Sequence, residues 1–154
     1  MPLVLGFLLA IVLALVVHKL AARPNPLRLM LRLPARKTDD PRVAAAAMLY
    51  AVAAECGPVT RETELLIVSQ LVSIADLDIA VARTCLRQGR RAARLDGDLT
   101  AKLHQLKDPI MRQCSLEERQ DVIDMLRTVA GPTGEQVGPV RRAIGRLAAT
   151  MLHN

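Results

Sequence analysis

The sequence predicts an all-α protein, with one N-terminal transmembrane helix and a compact bundle of about six helices. Apolar residues make up 51% of the chain but aromatic residues only 1%, so the core is built from Ala, Leu, Val, Ile and Met, most of which helices accommodate well. Residues 3–17 form an unbroken apolar run. Further along the chain, helix-capping signals recur between apolar segments.

The apolar run is predicted to be a membrane anchor over residues 1–22. A bilayer core needs about 20 helical residues, and residues 20–22 extend the run beyond His18 and Lys19. The side chain of Lys19 can reach the polar interface. A cleaved signal peptide is the alternative, but such peptides normally begin with basic residues. No Lys or Arg precedes this run.

The net charge of +6 is concentrated beside the predicted anchor. Residues 18–42 contain seven basic and two acidic residues and so carry five of the six net positive charges. This position indicates contact with anionic lipid headgroups. By the positive-inside rule it also predicts an outside N-terminus and a cytoplasmic C-terminal domain at a bacterial inner membrane. The expected membrane-surface residues are Lys19, Arg23, Arg28, Arg32, Arg36 and Lys37.

Residues 23–39 are predicted to be a basic juxtamembrane linker. Pro24 and Pro26 end the preceding helix, and residues 27–33 then alternate apolar and basic side chains. The alternation is compatible with a strand or with an amphipathic segment lying in the headgroup region. We favour a linker that crosses the polar interface.

Residues 40–154 are predicted to form the helical domain. Four helix starts carry a residue whose side chain can accept hydrogen bonds from the first turn; these residues are Asp40, Thr60, Asp78 and Ser115. Ser115 and Glu118 have the spacing of a capping box. The second helix has eight apolar residues between Leu65 and Ala75. Because it is apolar on nearly every side, we predict that it is the buried centre of the bundle.

The remaining helices have weaker signals. The third helix should bury Ile79, Ala82 and Leu86, and Gly89 should weaken it. A short fourth helix around Leu103 should end at Asp108-Pro109. The last helix is predicted over Val140 to Leu152, with Ile144, Leu147 and Met151 on its apolar face.

An internal repeat suggests that the domain has two pseudo-symmetric halves. Residues 48–53 match residues 125–130, and Gly57 matches Gly134 at the same spacing of 77 residues. Each copy consists of a helix, a turn containing Gly and Pro, and a second helix. The arginine-rich third helix would lie between the two copies.

The turns of this repeat resemble those of the tellurite-resistance TerB family. Members are all-helical domains whose halves each contain a turn with the pattern Ala-x-x-Asp-Gly-x-Val-Ser-x-x-Glu. The matching segments here are Ala53-Ala54-Glu55-Cys56-Gly57-Pro58-Val59-Thr60 and Ala130-Gly131-Pro132-Thr133-Gly134-Glu135. The resemblance covers about residues 40–152. An anchor followed by such a domain is similar to the front part of membrane-anchored DnaJ-like co-chaperones.

The resemblance implies that acidic residues of the turns bind a metal or a partner in the family. The Asp position holds Cys56 in the first turn and Thr133 in the second, and the Glu positions hold Thr63 and Val140. Calcium and magnesium need several converging oxygen ligands. We therefore expect no metal site and no cofactor in this chain.

No enzymatic activity is expected, because catalysis needs groups that converge. His18, His104 and His153 lie far apart, and none has an acid or a nucleophile at an interpretable spacing. The cysteines do not form a C-x-x-C motif and are expected to be buried, unpaired thiols; they are Cys56, Cys85 and Cys114. Nucleic-acid binding is also not expected, because Tyr50 is the only aromatic residue of the domain.

The third helix carries the candidate binding surface. Its arginines are spaced four, three and four residues apart, so they should share one helix face; they are Arg83, Arg87, Arg90 and Arg94. A solvated face that binds nothing is one interpretation. The functional interpretation is a docking surface for an acidic protein partner or for anionic headgroups.

These features predict a protein-interaction or scaffold module, acting as an accessory subunit or assembly factor of a membrane protein complex. One alternative is a stress-response or metal-sensing protein of the tellurite-resistance type. The other is a co-chaperone-like adaptor.

Overall fold

The structure, a computed structural model, describes residues 39–136 and 138–153, without the side chains of residues 133–136. The predicted anchor, the linker up to residue 38 and the six membrane-surface residues lie outside this part of the chain. Within it, no helix combines the length and the apolar character that crossing a bilayer requires.

The described residues confirm the all-α fold class, since every regular element among them is a helix. The helices are α1 (Pro41–Cys56), α2 (Arg61–Ser73), α3 (Ile79–Ala92), α4 (Leu99–Leu106), α5 (Asp108–Gln113), α6 (Leu116–Gln136) and α7 (Gly138–Leu152). Gly131 interrupts α6 with a φ of +62° and a ψ of −178°. The chain therefore bends there, directly before Pro132.

The four predicted helix caps are all present. Each side chain accepts a hydrogen bond from an amide in the first turn of its helix; the caps are Asp40, Thr60, Asp78 and Ser115. The capping box is reciprocal. The Ser115 amide donates to Glu118 Oε2 at 2.6 Å, and the Glu118 amide donates to Ser115 Oγ at 3.3 Å. These local signals thus fix the starts of α1, α2, α3 and α6.

The central helix is α1, so the prediction that α2 is the centre was wrong. Eleven of the sixteen residues of α1 are buried, and its neighbours include α3, α4, α5 and α6. Small side chains in α1 let these helices approach closely. In contrast, α2 buries only Ile67, Val68 and Leu71. Val72 is partly buried against the core, but Leu65 and Leu66 are 52% and 37% exposed.

A glycine allows α3 to pack tightly against α1. A Cβ placed on Gly89 would lie 2.6 Å from the amide nitrogen of Ala47 and 2.8 Å from the carbonyl carbon of Ala46. Both distances are much shorter than a van der Waals contact, and both atoms belong to helical backbone. Gly89 therefore has a packing role that outweighs its low helix propensity.

Two helix ends differ in part from the prediction. The fourth helix ends at Leu106, just before Asp108 and Pro109 as predicted, but these two residues begin a further helix, α5, that was not predicted. Proline is compatible with a first helical turn, whose amides have no partner within the helix. The other difference is that α3 ends at Ala92, so Arg94 lies beyond the helix.

The repeated segments bury the same four apolar positions, although Ala51 of the first copy is buried and Thr128 of the second is exposed. Met48 and Leu49 in α1, and Met125 and Leu126 in α6, are each at most 2% exposed. The two helices also contact each other directly. The apolar positions of the repeat therefore serve a shared core.

Candidate functional site

The arginines predicted on the third helix are exposed to solvent in the structure. Buried residues occupy the other side of α3, and they are Ala82, Cys85, Leu86 and Gly89. Ile79 was predicted to join this buried side but is 53% exposed. Arg91, which the sequence analysis did not include, is also exposed on α3. The basic surface therefore consists of Arg83, Arg87, Arg90 and Arg91, with Arg94 beyond the helix end.

Arg90 is held by contacts within the domain. Its Nη1 atom lies 3.3 Å from Oε1 of Glu64 in α2, and its guanidinium lies 5.8 Å from the ring centroid of Tyr50 in α1. The ion pair is exposed, so its contribution to stability is small. A cation–π contact at such a site contributes about 0.5–1 kcal/mol. Arg90 thus connects three helices and is less available to a partner than its neighbours.

Arg83 and Arg87 are more available. Arg87 Nη2 donates only to Oγ1 of Thr84, at 3.1 Å. Neither arginine forms an ion pair within the described part of the chain. Their charge can therefore act on a molecule outside the domain.

A groove with a volume of about 610 Å³ separates α2 from α3, and we call it the α2–α3 groove. Its apolar lining comes from both helices, namely Leu65, Val68, Ile79 and Leu86. Three arginines also line it, namely Arg61, Arg83 and Arg87. The exposed apolar side chains of α2 and the arginine face of α3 thus line one groove together.

A second depression of about 620 Å³ lies at the other end of α3, between α1 and α5, and we call it the α1–α5 cleft. Its apolar lining consists of Val43, Ala44, Ala92, Leu95, Leu106 and Pro109. Asp39 is at its edge, where its carboxylate lies 3.0 Å from Arg112 and its carbonyl accepts a hydrogen bond from Gln113. These contacts fix the start of the domain beside the cleft.

The three cysteines are free thiols, but only Cys85 is buried as expected; Cys56 and Cys114 are partly buried. Burial raises the pKa of Cys85 to about 11. Burial, reinforced by the negative charge of Glu118, raises the pKa of Cys114 to about 12. The pKa of Cys56 is also raised, by burial and by the charge of Glu55. Because the thiolate is the nucleophile and the metal ligand, protonated thiols are poorly suited to either role at neutral pH.

The described residues contain no group of three or more His, Cys, Asp or Glu side chains placed to hold a metal ion. Cys56 occupies the first-turn position where the TerB pattern has Asp, and its thiol lies 3.9 Å from the carbonyl of Ala130. That cysteine thus connects the end of α1 to α6. The expectation of no metal site stays a prediction.

Comparisons with protein-family models, with curated proteins and with solved structures found no match. The resemblance to the TerB family therefore stays a prediction that rests on the two turn motifs.

Proposed function

We propose that this protein is a membrane-anchored interaction module of TerB-like fold that binds an acidic partner protein in the α2–α3 groove. The supporting observation is that Leu65 and Ile79 are 52% and 53% exposed and line a groove together with Arg61, Arg83 and Arg87. Exposed apolar side chains with a polar rim are typical of protein-interaction sites.

The two kinds of side chain would have different roles in binding. Complete burial of a Leu or Ile side chain stabilises a complex by about 1.5–3 kcal/mol. Leu65 and Ile79 are already half-buried, so each would contribute roughly half of that amount. The arginines would mainly set the choice of partner and the association rate, because charge complementarity acts on those properties more than on affinity.

The charge of the groove favours an acidic partner over a second copy of this chain. Among the described residues that line the groove, Glu64 is the one acid, and its carboxylate already pairs with Arg90. Two copies of the groove placed face to face would bring arginines against arginines, and like charges at an interface suppress association.

Several parts of this proposal rest on sequence features. The apolar run of residues 3–17 and the basic residues that follow it support a single-pass anchor with a cytoplasmic domain. A domain anchored in this way lies beside other membrane proteins, so a subunit of a membrane complex is the class of partner that we propose. The raised pKa values of the thiols support binding rather than catalysis. The absence of acids at Cys56 and Thr63 disfavours a metal-sensing role.

The test is recovery of partners with the tagged full-length protein after mild-detergent extraction. Arg83→Glu/Arg87→Glu should lose an acidic partner that the unmodified protein retains at stoichiometric amounts. These two arginines are preferred to Arg90, because Arg90 also contacts Glu64 and Tyr50.

The control is Arg142→Glu/Arg146→Glu on α7. This variant has the same spacing, the same change of charge and equally exposed positions. It should retain the partner, and both variants should keep the helical circular dichroism signal. Equal partner recovery from the two variants would overturn the proposal.

A further inference from the structure

The α2–α3 groove and the α1–α5 cleft are connected along the exposed face of α3. A smaller depression between them is lined by Thr84, Arg87, Gln88 and Arg91. It shares Thr84 and Arg87 with the groove and Gln88 and Arg91 with the cleft. The three depressions therefore adjoin one another along α3, and we call them together the α3 trough.

We propose that the α3 trough is the binding site for a single acidic amphipathic helix of a partner protein. This inference rests on the proposed function and identifies the kind of segment that would bind. The chemistry of the trough changes along its length. Leu65 and Ile79 are apolar at one end, and Leu95 and Leu106 are apolar at the other. Among the described residues, the central depression is lined by no apolar side chain and by two arginines.

The partner segment should have the complementary pattern. It would carry apolar residues near both ends and acidic residues in between. The trough runs along all of α3, which has 14 residues and is therefore about 20 Å long. A partner helix of about four turns would span it. The regular structure around the trough is entirely helical and offers no sheet edge among the described residues, so insertion of a helix into a groove is the matching mode of recognition.

The charged side chains of the trough that have no ion-pair partner among the described residues are arginines. Asp39 at the edge of the cleft pairs with Arg112 at 3.0 Å, and Asp108 lies 3.4 Å from Nζ of Lys107. In contrast, Arg87 and Arg91 pair with no carboxylate within the described part of the chain. The central positions therefore favour carboxylates on the bound segment.

Photo-crosslinking of the full-length protein in its membrane tests this inference. The photoreactive residue p-benzoylphenylalanine replaces Ile79 at the groove end or Leu95 at the cleft end. Replacement of Leu116 is the matched control, because Leu116 is 58% exposed and lines none of the three depressions. Mass spectrometry identifies the crosslinked peptides.

The expected result is that Ile79 and Leu95 capture the two ends of the same partner segment, with Asp or Glu between them, and that Leu116 does not. Arg91→Glu should reduce both crosslinks at least about tenfold, as expected for loss of a close charge pair. Arg142→Glu should leave them unchanged.

Other results overturn the inference in distinguishable ways. Capture of unrelated segments, lipids or a second copy of this chain from the two positions would show that no single acidic helix spans the trough. If only Ile79 captures a segment, and Arg83→Glu/Arg87→Glu removes it, the proposed function stands and the spanning helix does not. If neither position captures a protein, both proposals fail.

Discussion

Gly89 of α3 lies so close to Ala47 of α1 that a side chain on Gly89 would come within 2.6 Å of the Ala47 amide nitrogen. The contact is with helical backbone, which cannot move aside as a flexible side chain can. The packing of α3, and with it the position of the arginine face, therefore depends on the absence of a Cβ at residue 89.

Replacing Gly89 by Ala should destabilise the domain by about 1–3 kcal/mol, as overpacked cores do. This loss should occur although Ala favours a helix interior over Gly by about 1 kcal/mol. Gly145→Ala in α7 is the control, because apart from the adjoining residues and backbone of its own helix no described atom lies within 4 Å of the added Cβ. That variant should be about 0.5–1 kcal/mol more stable against unfolding than the unmodified protein. Urea unfolding, followed by circular dichroism, measures the stability of both variants. Equal changes in stability would contradict the packing role of Gly89.

The parts of the fold that depend on local chemistry were predictable from the sequence. A cap needs only a short polar side chain and the free amides of the following turn, so the starts of helices at Asp40, Thr60 and Ser115 were correctly placed. The order of burial depends on the whole bundle and was not predictable. Helix α2, which carries the run Leu65-Leu66-Ile67-Val68, lies at the edge, whereas α1, whose apolar residues are mostly alanine, is the centre.

The same error concealed part of the candidate site. The spacing of the arginines correctly indicated an exposed face on α3, but Leu65 and Ile79 were assigned to the core. An apolar excess on α2, beyond what one buried face needs, was the signal that some of its apolar side chains stay exposed. Arg94 was assigned to the face because the end of α3 carries no strong stop signal.

The Asp40–Arg42 pair should make stability depend on acid pH. Burial alone would raise the pKa of Asp40, but hydrogen bonds and the charge of Arg42 outweigh burial and lower it. The two side chains are 2.6 Å apart and each is 14% exposed. A lowered folded-state pKa contributes stability above the unfolded value of about 3.9, and this stability is lost as pH falls through the folded value.

Asp40→Asn keeps a side chain that can cap α1 but removes the charge that Arg42 contacts. This variant should lower the free energy of unfolding by about 1–3 kcal/mol at pH 7. The difference in unfolding free energy from the unmodified protein should become smaller below about pH 4. Asp98→Asn is the control, since Asp98 caps α4 through the Ala101 amide and has no arginine partner within the described residues. A cost that does not vary with pH would contradict the ionic contribution.

The thiols of Cys85 and Cys114 should destabilise the fold at alkaline pH. The folded-state pKa values of Cys85 and Cys114 are about 11 and about 12, above the value of about 8.5 for an unfolded cysteine. At a pH between the unfolded and the folded pKa, these thiols lose their protons in the unfolded state but keep them in the folded state. Stability therefore falls as pH rises through this range.

The free energy of unfolding should fall by about 1.4 kcal/mol per pH unit for each such thiol above about pH 9. Chemical denaturation at several pH values measures this slope. Cys85→Ala/Cys114→Ala is the comparison, and its slope should be shallower by the contribution of two thiols, whatever its stability at pH 7. The same slope in both proteins would show that these thiols do not retain their protons.

Arg119 holds the ends of three helices together. Its guanidinium donates to the carbonyl of Met111 in α5 at 2.7 Å, to that of Cys114 before α6 at 3.1 Å, and to that of Met151 in α7 at 3.4 Å. The planar donor fork of arginine allows one side chain to reach all three acceptors.

Arg119→Lys should therefore destabilise the domain by about 1–3 kcal/mol, because an ammonium group cannot reach all three carbonyls and leaves polar groups unsatisfied. Arg127→Lys is the matched control. Arg127 is half-exposed and pairs with Asp124 one turn away at 3.1 Å, so its loss should cost at most about 0.5 kcal/mol. Urea unfolding compares the two variants. Equal costs would mean that the positive charge of Arg119, rather than its three directed hydrogen bonds, joins α5, α6 and α7.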